Sequence, residues 1–110
     1  MNTRTAVGSL AALAQGSRLE IFRLLVQAGP EGLPAGEIGD RLGIPASTLS
    51  FHMKTLSHAG LLESRQESRF VYYSTNFAAM NALLDYLSEN CCGGRPCRPA
   101  AAPTRKRKAA

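Results

Sequence analysis

The sequence predicts a mainly α-helical domain that carries one small β-hairpin. Five segments repeat apolar residues at the three- and four-residue spacing of a helix, and one stretch, residues 61–74, alternates in the manner of two short strands. The chain has 110 residues, of which 45% are hydrophobic, a composition typical of one globular domain. It has neither an apolar run of the roughly 18 residues that cross a membrane nor the apolar segment of a secretion signal. We therefore expect a cytoplasmic protein without a membrane partner.

The formal net charge of +5 is confined to the C-terminal end of the sequence. Residues 98–110 hold five basic residues and no acidic ones, so residues 1–97 are electrically balanced. From Gly93 onward the chain is rich in Gly, Pro and Ala and has no apolar periodicity. The sequence thus predicts a folded domain over residues 1–92, followed by a cysteine-containing loop and a disordered basic tail over residues 93–110.

Two helices are predicted in the first 30 residues. The first is indicated by a stripe of four apolar residues, namely Val7, Leu10, Ala11 and Ala14. Ser17 and Glu20 have the spacing of a capping box, which starts the second helix. Gly29 and Pro30 end that helix.

A short helix, a break and a longer helix come next. Pro34 begins the short helix over residues 35–42, and the break is the tripeptide of residues 43–45. The longer helix, residues 46–59, buries Leu49, Met53 and Leu56 on one side. Strands follow over residues 61–65 and 70–74, with a polar connection at residues 66–68. A last helix, residues 76–90, has a strong apolar stripe.

The short helix, break and longer helix form the pattern of a helix-turn-helix, and the hairpin behind them makes it a winged one. The second helix of such a motif enters the major groove of DNA, and small hydroxyls and cations suit that surface. His52 and His58 stand six residues apart on a helix and point in different directions, which disfavours a metal site shared by the two. His52 is therefore interpreted as a boundary residue near DNA and His58 as a surface residue. The candidate DNA-binding residues are Ser47, Thr48, Ser50, Phe51, His52, Lys54, Arg65 and Arg69.

Two features of this motif have alternative explanations. The polar side of the longer helix is also what an ordinary solvated helix face looks like, although the basic hairpin beside it favours DNA. Phe51 is a large apolar ring on that polar side. It is expected either to contact thymine methyls or sugars, or to pack under the hairpin.

All three cysteines lie within seven residues: Cys91, Cys92 and Cys97. Such an odd, tight cluster is a poor disulfide framework, and thiolates prefer soft ions. Gly93 and Gly94 break the helix so that the thiols can converge on an ion such as As(III) or Sb(III), which needs only three ligands. Alternatives are incidental residues, a redox switch, or Cd²⁺, Pb²⁺ or Zn²⁺ bound with an outside ligand.

Residues 47–62, STLSFHMKTLSHAGLL, resemble the recognition helix of the ArsR/SmtB metal-sensing repressors, and residues 17–25, SRLEIFRLL, resemble the segment upstream of it. The resemblance covers about residues 6–92. It implies a homodimeric repressor that binds an inverted-repeat DNA operator and leaves it when an inducer binds. It also implies dimerisation through the first and last helices, with Leu83, Leu84 and Leu87 exposed in a monomer.

Members of this family differ in where they bind their inducer, so the positions of possible ligands indicate which type this sequence resembles. The family's arsenic site on the third helix falls near residues 37–40, where this sequence has no Cys. Its zinc site on the last helix needs His partners for an Asp, but only Asp85 is present and no His follows His58. What remains resembles arsenite-responsive members with a cysteine triad after the last helix. This similarity implies Cys91, Cys92 and Cys97 as ligands of As(III), Sb(III) or methylarsenite, which needs only two sulfurs.

These inferences predict an arsenic(III)-responsive repressor without an organic cofactor. A winged-helix repressor that senses Cd, Pb, Zn or thiol redox state through the same cysteines is the alternative. A thiol enzyme is disfavoured because the cysteines follow a helix C-terminus, where the helix dipole opposes thiolate formation. A metal-buffering protein that uses the helix-turn-helix only to dimerise would show no sequence-dependent DNA binding.

Overall fold

The structure, a computed structural model, describes residues 1–95 as five α-helices and a three-stranded antiparallel sheet. The helices are α1 (Thr3–Leu13), α2 (Gly16–Ala28), α3 (Ala35–Leu42), α4 (Ala46–His58) and α5 (Phe77–Ser88). The strands are β1 (Leu33–Pro34), β2 (Leu62–Glu67) and β3 (Phe70–Thr75), and a short 3₁₀ segment (Cys91–Gly94) follows α5. The predicted mainly α fold with a small hairpin is confirmed. The expectations for Cys97 and for the basic tail lie outside the described residues.

The start of α2 differs from the prediction. The helix begins at Gly16, and Gln15 caps it, since the Gln15 side-chain oxygen accepts a hydrogen bond from the Arg18 backbone N–H at 2.9 Å. The predicted capping box of Ser17 and Glu20 is therefore wrong. Ser17 is already the second residue of the helix, so it cannot occupy the N-cap position that a capping box requires.

One hydrophobic core lies between α2, α3, α4 and the first strand of the hairpin. The helical periodicity places three side chains of α4, Leu49, Met53 and Leu56, against α2 and α3, as predicted. Burial of such side chains is the main source of stability for a domain of this size. The buried apolar members of this core are Ala12, Ile21, Phe22, Leu25, Ile38, Leu49, Met53, Leu56, Leu61 and Leu62.

The apolar stripe that indicates α1 in the sequence does not face the core of the single chain. The helix buries Ala6, Ser9 and Ala12, and it leaves Val7 and Leu10 exposed. Small residues on the buried side allow α1 to lie close to its neighbours. The larger apolar side chains of the predicted stripe face away from the core of the single chain.

The sheet contains a strand that the sequence did not reveal. Strand β1 pairs with β3 through Leu33 and Tyr73, so β3 lies in the middle of the order β1-β3-β2. Just before β1, Gly32 has a φ of +74°, and a Cβ there would lie 2.2 Å from the Tyr73 carbonyl oxygen. This close approach requires glycine. The hairpin is thus anchored to the segment that leads into α3.

Helix α5 lies beside α1, and the Thr3 hydroxyl is 2.6 Å from the Tyr86 hydroxyl. Leu83 faces the interior and is only 5% exposed, so the expectation that it is exposed is wrong. The neighbouring Leu84 lies about 100° further around the helix axis and faces solvent. Leu84 and Leu87 are more than half exposed. We call the four exposed large apolar side chains of α1 and α5 the apolar patch: Val7, Leu10, Leu84 and Leu87. Within residues 1–95, no helix has the length and apolar character to cross a membrane.

Candidate nucleic-acid interface

Helices α3 and α4 are joined by the tight turn of a helix-turn-helix. Gly43 ends α3 in the left-handed conformation, with a φ of +68°, and the Ile44 N–H donates to the Gly39 carbonyl oxygen at 3.0 Å. A Cβ on Gly39 would lie 3.1 Å from the Ile44 carbonyl oxygen. The turn therefore depends on a glycine within α3, as well as on the glycine that ends the helix.

The exposed side of α4 carries most of the predicted DNA-binding residues. Two hydroxyl residues, Ser47 and Thr48, lie in its exposed first turn, and Lys54 is exposed two turns further on. The helix has no acidic residue along its whole length. Because DNA phosphates repel carboxylates and attract cations, this surface suits a nucleic acid. The exposed members of the predicted set on α4 are Ser47, Thr48, Ser50, Phe51 and Lys54.

His52 does not share this exposed side, which corrects its assignment as a boundary residue near DNA. Its side chain is only 7% exposed, and its Nδ1 lies 3.4 Å from Nη1 of Arg18. Arg18 in turn donates from Nε to the carbonyl oxygen of Ala12, at the end of α1, at 2.6 Å. His52 therefore contributes to the interior contacts that hold α4. His58 is exposed, as predicted.

Arg18 is the partner of His52 that the sequence did not reveal. It lies in the first turn of α2, where a cation normally faces solvent, and no spacing pattern links it to residue 52. The only available signal was the position of a histidine on the buried side of α4. That signal indicates a buried polar group in need of a partner.

The two arginines of the hairpin are placed differently from each other. The strands extend to Glu67 and from Phe70, so the turn consists of Ser68 and Arg69. Arg69 is exposed at the tip, as predicted, and Ser68 has a φ of +57°. Arg65 was also expected to flank the turn between the two strands, and this is wrong. Arg65 lies within strand β2, where it pairs with Tyr72 of β3.

The guanidinium of Arg65 already has partners within the chain. It lies over the Tyr72 ring at 4.9 Å and donates to the Glu67 carboxylate at 2.9 Å. It also donates to the carbonyl oxygen of Glu31 at 2.7 Å. These contacts attach β2 to the segment before β1. Arg69 is therefore the more available cation of the wing.

Two of the three predicted ligands lie directly after α5. The Sγ atoms of Cys91 and Cys92 are 3.6 Å apart, and both residues are exposed. Left-handed backbone at Asn90 and Cys92 breaks the helical course, which is how adjacent residues bring their thiols together. Within residues 1–95 no group of three or more His, Cys, Asp or Glu side chains could hold a metal ion. Cys97 lies outside that range.

Comparison with known proteins gives relatives along most of the chain. Residues 13–65 match the model of a family described as a helix-turn-helix domain. The regulator YceK of Bacillus subtilis is 46% identical over 63 residues, which are 57% of this chain and 62% of that protein. The transcriptional activator HlyU of Vibrio cholerae is 32% identical over 91 residues, 83% of this chain and 82% of that protein. The arsenical resistance operon repressor of Bacillus subtilis is 33% identical over 81 residues, 74% and 73% of the two chains.

Solved structures resemble the fold over a similar range. The structure of HlyU from Vibrio cholerae has a TM-score of 0.65 and 31% identity, and the match covers 84% of this chain and 99% of that one. The homodimeric winged helix-turn-helix domain of Mb0332 from Mycobacterium bovis, described as a possible ArsR-family regulator, has a TM-score of 0.63 and 26% identity, with 86% and 88% covered. The helix-turn-helix and the wing described above are the fold that these solved relatives share. The chain belongs to the ArsR/SmtB-type family of winged helix-turn-helix transcriptional regulators.

Proposed function

We propose that this chain is an arsenic(III)-responsive transcriptional repressor. As a homodimer it binds a double-stranded DNA operator, and it leaves the operator when As(III) is bound by Cys91, Cys92 and Cys97. The observation that carries the proposal is the pair of exposed thiols, 3.6 Å apart, at the end of α5. The 33% identity to an arsenical resistance operon repressor supports it.

The DNA-binding part of the proposal rests on α4 and the wing. Helix α4 presents Ser47, Thr48 and Lys54 without an acidic residue, and Arg69 stands at the wing tip. A dimer places two such helices in successive major grooves. We therefore expect an inverted-repeat operator whose half-sites are about one helical turn apart.

The dimer is proposed to form through α1 and α5. The apolar patch leaves four large aliphatic side chains open to water on these adjacent helices, and such a patch is typically covered by a partner. Mb0332, a homodimer by its description, has the same fold. Because α5 ends at Ser88 and the first thiol follows at Cys91, an ion bound there lies next to the proposed interface.

The geometry of the two thiols suits a soft ion. Two thiolates on a tetrahedral ion at about 2.3 Å are about 3.8 Å apart, close to the separation seen here. As(III) and Sb(III) take three sulfur ligands, for which Cys97 is the third candidate, and methylarsenite takes two. Release of DNA needs a coupling of only about 1 to 3 kcal/mol between the two binding events.

A titration of operator binding tests the sensing site. We expect arsenite to weaken operator binding of the wild type. The variants Cys91→Ser, Cys92→Ser and Cys97→Ser should bind the operator equally well with and without arsenite. Arg95→Ser, an exposed change in the same segment, serves as the matched control and should respond like the wild type. The proposal fails if arsenite leaves wild-type affinity unchanged, or if Cys91→Ser still releases DNA.

The same pair of thiols favours a second candidate, a regulator that responds to Cd²⁺, Pb²⁺ or Zn²⁺ or to thiol oxidation. Its support is that any soft ion can use two adjacent thiolates, and that HlyU, an activator by its name, is as similar as the arsenical repressor. Antimonite, methylarsenite, Cd²⁺, Pb²⁺, Zn²⁺ and hydrogen peroxide form the further arms of the titration. Release by one of these but not by arsenite selects this candidate.

A further inference from the structure

Phe51 is the most exposed large apolar side chain among the described residues. It is 63% exposed, in the middle of α4, where a helix of a soluble protein ordinarily carries a polar residue. It does not pack under the hairpin, which removes one of the two roles expected from the sequence. A partner that covers this ring removes apolar surface from water, which favours binding.

The helix that carries Phe51 is held at this point from inside the protein. The Phe51 ring meets the His52 ring edge-on, with 5.7 Å between ring centroids. His52 is buried and lies 3.4 Å from the Arg18 guanidinium, which is itself bonded to the end of α1. Phe51 is therefore presented at a defined place on α4, as a residue that discriminates between ligands must be.

The neighbours of Phe51 indicate the partner. Ser47, Thr48 and Lys54 are exposed on the same helix, and α4 contains no carboxylate. An apolar protein surface would meet hydroxyls and an ammonium group here, which it could not satisfy. The major groove of DNA offers phosphates and base edges for these groups, together with one apolar feature, the C5-methyl of thymine.

We propose that Phe51 recognises thymine methyl groups in each half-site of the operator. The inference rests on the proposed binding of DNA by α4, and it is independent of arsenic. It assigns Phe51 as a specificity-determining residue. It also predicts that half-sites contain at least one thymine opposite the middle of α4.

Replacement of thymine by deoxyuridine tests this assignment, since uracil differs from thymine only by the missing methyl. The operator is first obtained by selection of bound sequences from a random DNA library. Each thymine is then replaced in both half-sites, and affinity is measured by fluorescence anisotropy. We expect a loss of about fourfold per half-site at one thymine position, the effect of exposing one methyl-sized group.

Three variants test whether the preference for thymine depends on the Phe51 ring. Phe51→Ala should bind thymine and uracil operators equally, and Phe51→Leu should retain part of the difference. Phe70→Ala removes a comparably exposed ring from the wing and should discriminate as the wild type does. Circular dichroism spectra of the three variants should match the wild type, because both rings lie at the surface.

Three results would overturn the assignment. In the first, uracil is tolerated at every thymine position. In the second, Phe51→Ala keeps the wild-type preference for thymine. In both cases sequence-specific binding itself remains, so the proposed function stands. In the third, the wild type selects no sequence from the library, which overturns the DNA-binding proposal together with this one.

Discussion

The Arg18 side chain joins three helices through one guanidinium group. Its Nε donates to the last turn of α1, and its Nη1 lies beside His52 of α4. Arg18 itself belongs to α2, whose first turn is capped by Gln15. A planar guanidinium with several fixed donors suits this role, whereas a lysine ammonium cannot span both acceptors in the same geometry. Arg18 thus holds the end of α1 against the proposed DNA-contacting helix.

Removal of this guanidinium should weaken the fold. Arg18→Met retains the aliphatic stem but leaves the Ala12 carbonyl and the His52 ring without their donor, which we expect to cost about 1 to 3 kcal/mol in the free energy of unfolding. Urea denaturation followed by circular dichroism measures the loss. Arg23→Met, on an exposed position of the same helix, is the control, with an expected change within about 0.5 kcal/mol. Equal effects of the two substitutions would contradict the structural role of Arg18.

At the scale of elements, the helices that the sequence predicted well are those with a clear apolar periodicity. Helices α3 and α4 lie almost where expected, because each has a clear apolar side and a glycine or proline at its boundary. Strand β1 has only two residues and no pattern, so its pairing with Tyr73 was not visible. The contacts of Arg65 with Glu31 and of His52 with Arg18 each span 34 residues of sequence, so local spacing does not encode them.

Helix α5 supplies a prediction at this scale. Leu84→Glu combined with Leu87→Glu places charges in the apolar patch, so we expect a monomer in analytical ultracentrifugation, with helical content retained because both side chains are exposed. Since a dimer holds two half-sites at once, operator affinity should fall by at least tenfold. Ala78→Glu, at an exposed position on another side of α5, should leave the dimer intact. A double variant that remains dimeric would exclude α5 as the interface.

At the scale of the whole molecule, the distribution of charge separates two contributions to DNA binding. Residues 1–97 have no net charge, so we expect sequence-specific binding to depend on a few placed groups such as Lys54 and Arg69. The basic residues of positions 98–110 account for the whole excess of +5. Charge of this kind attracts DNA of any sequence and is sensitive to salt.

Deletion of residues 99–110 should therefore weaken operator binding without changing which sequence is preferred. The deletion removes Arg105, Lys106, Arg107 and Lys108. We expect the slope of log K against log salt to decrease by about 1 for each of these cations that contacts phosphate. A full-length variant with the same four residues changed to glutamine controls for the shortened chain and should give the same slope. Response to arsenite should persist in both variants, since the cysteines are retained. If the truncated protein no longer distinguished its operator from other DNA, the sequence-recognising surface would lie in the tail, and its assignment to α4 and the wing would be wrong.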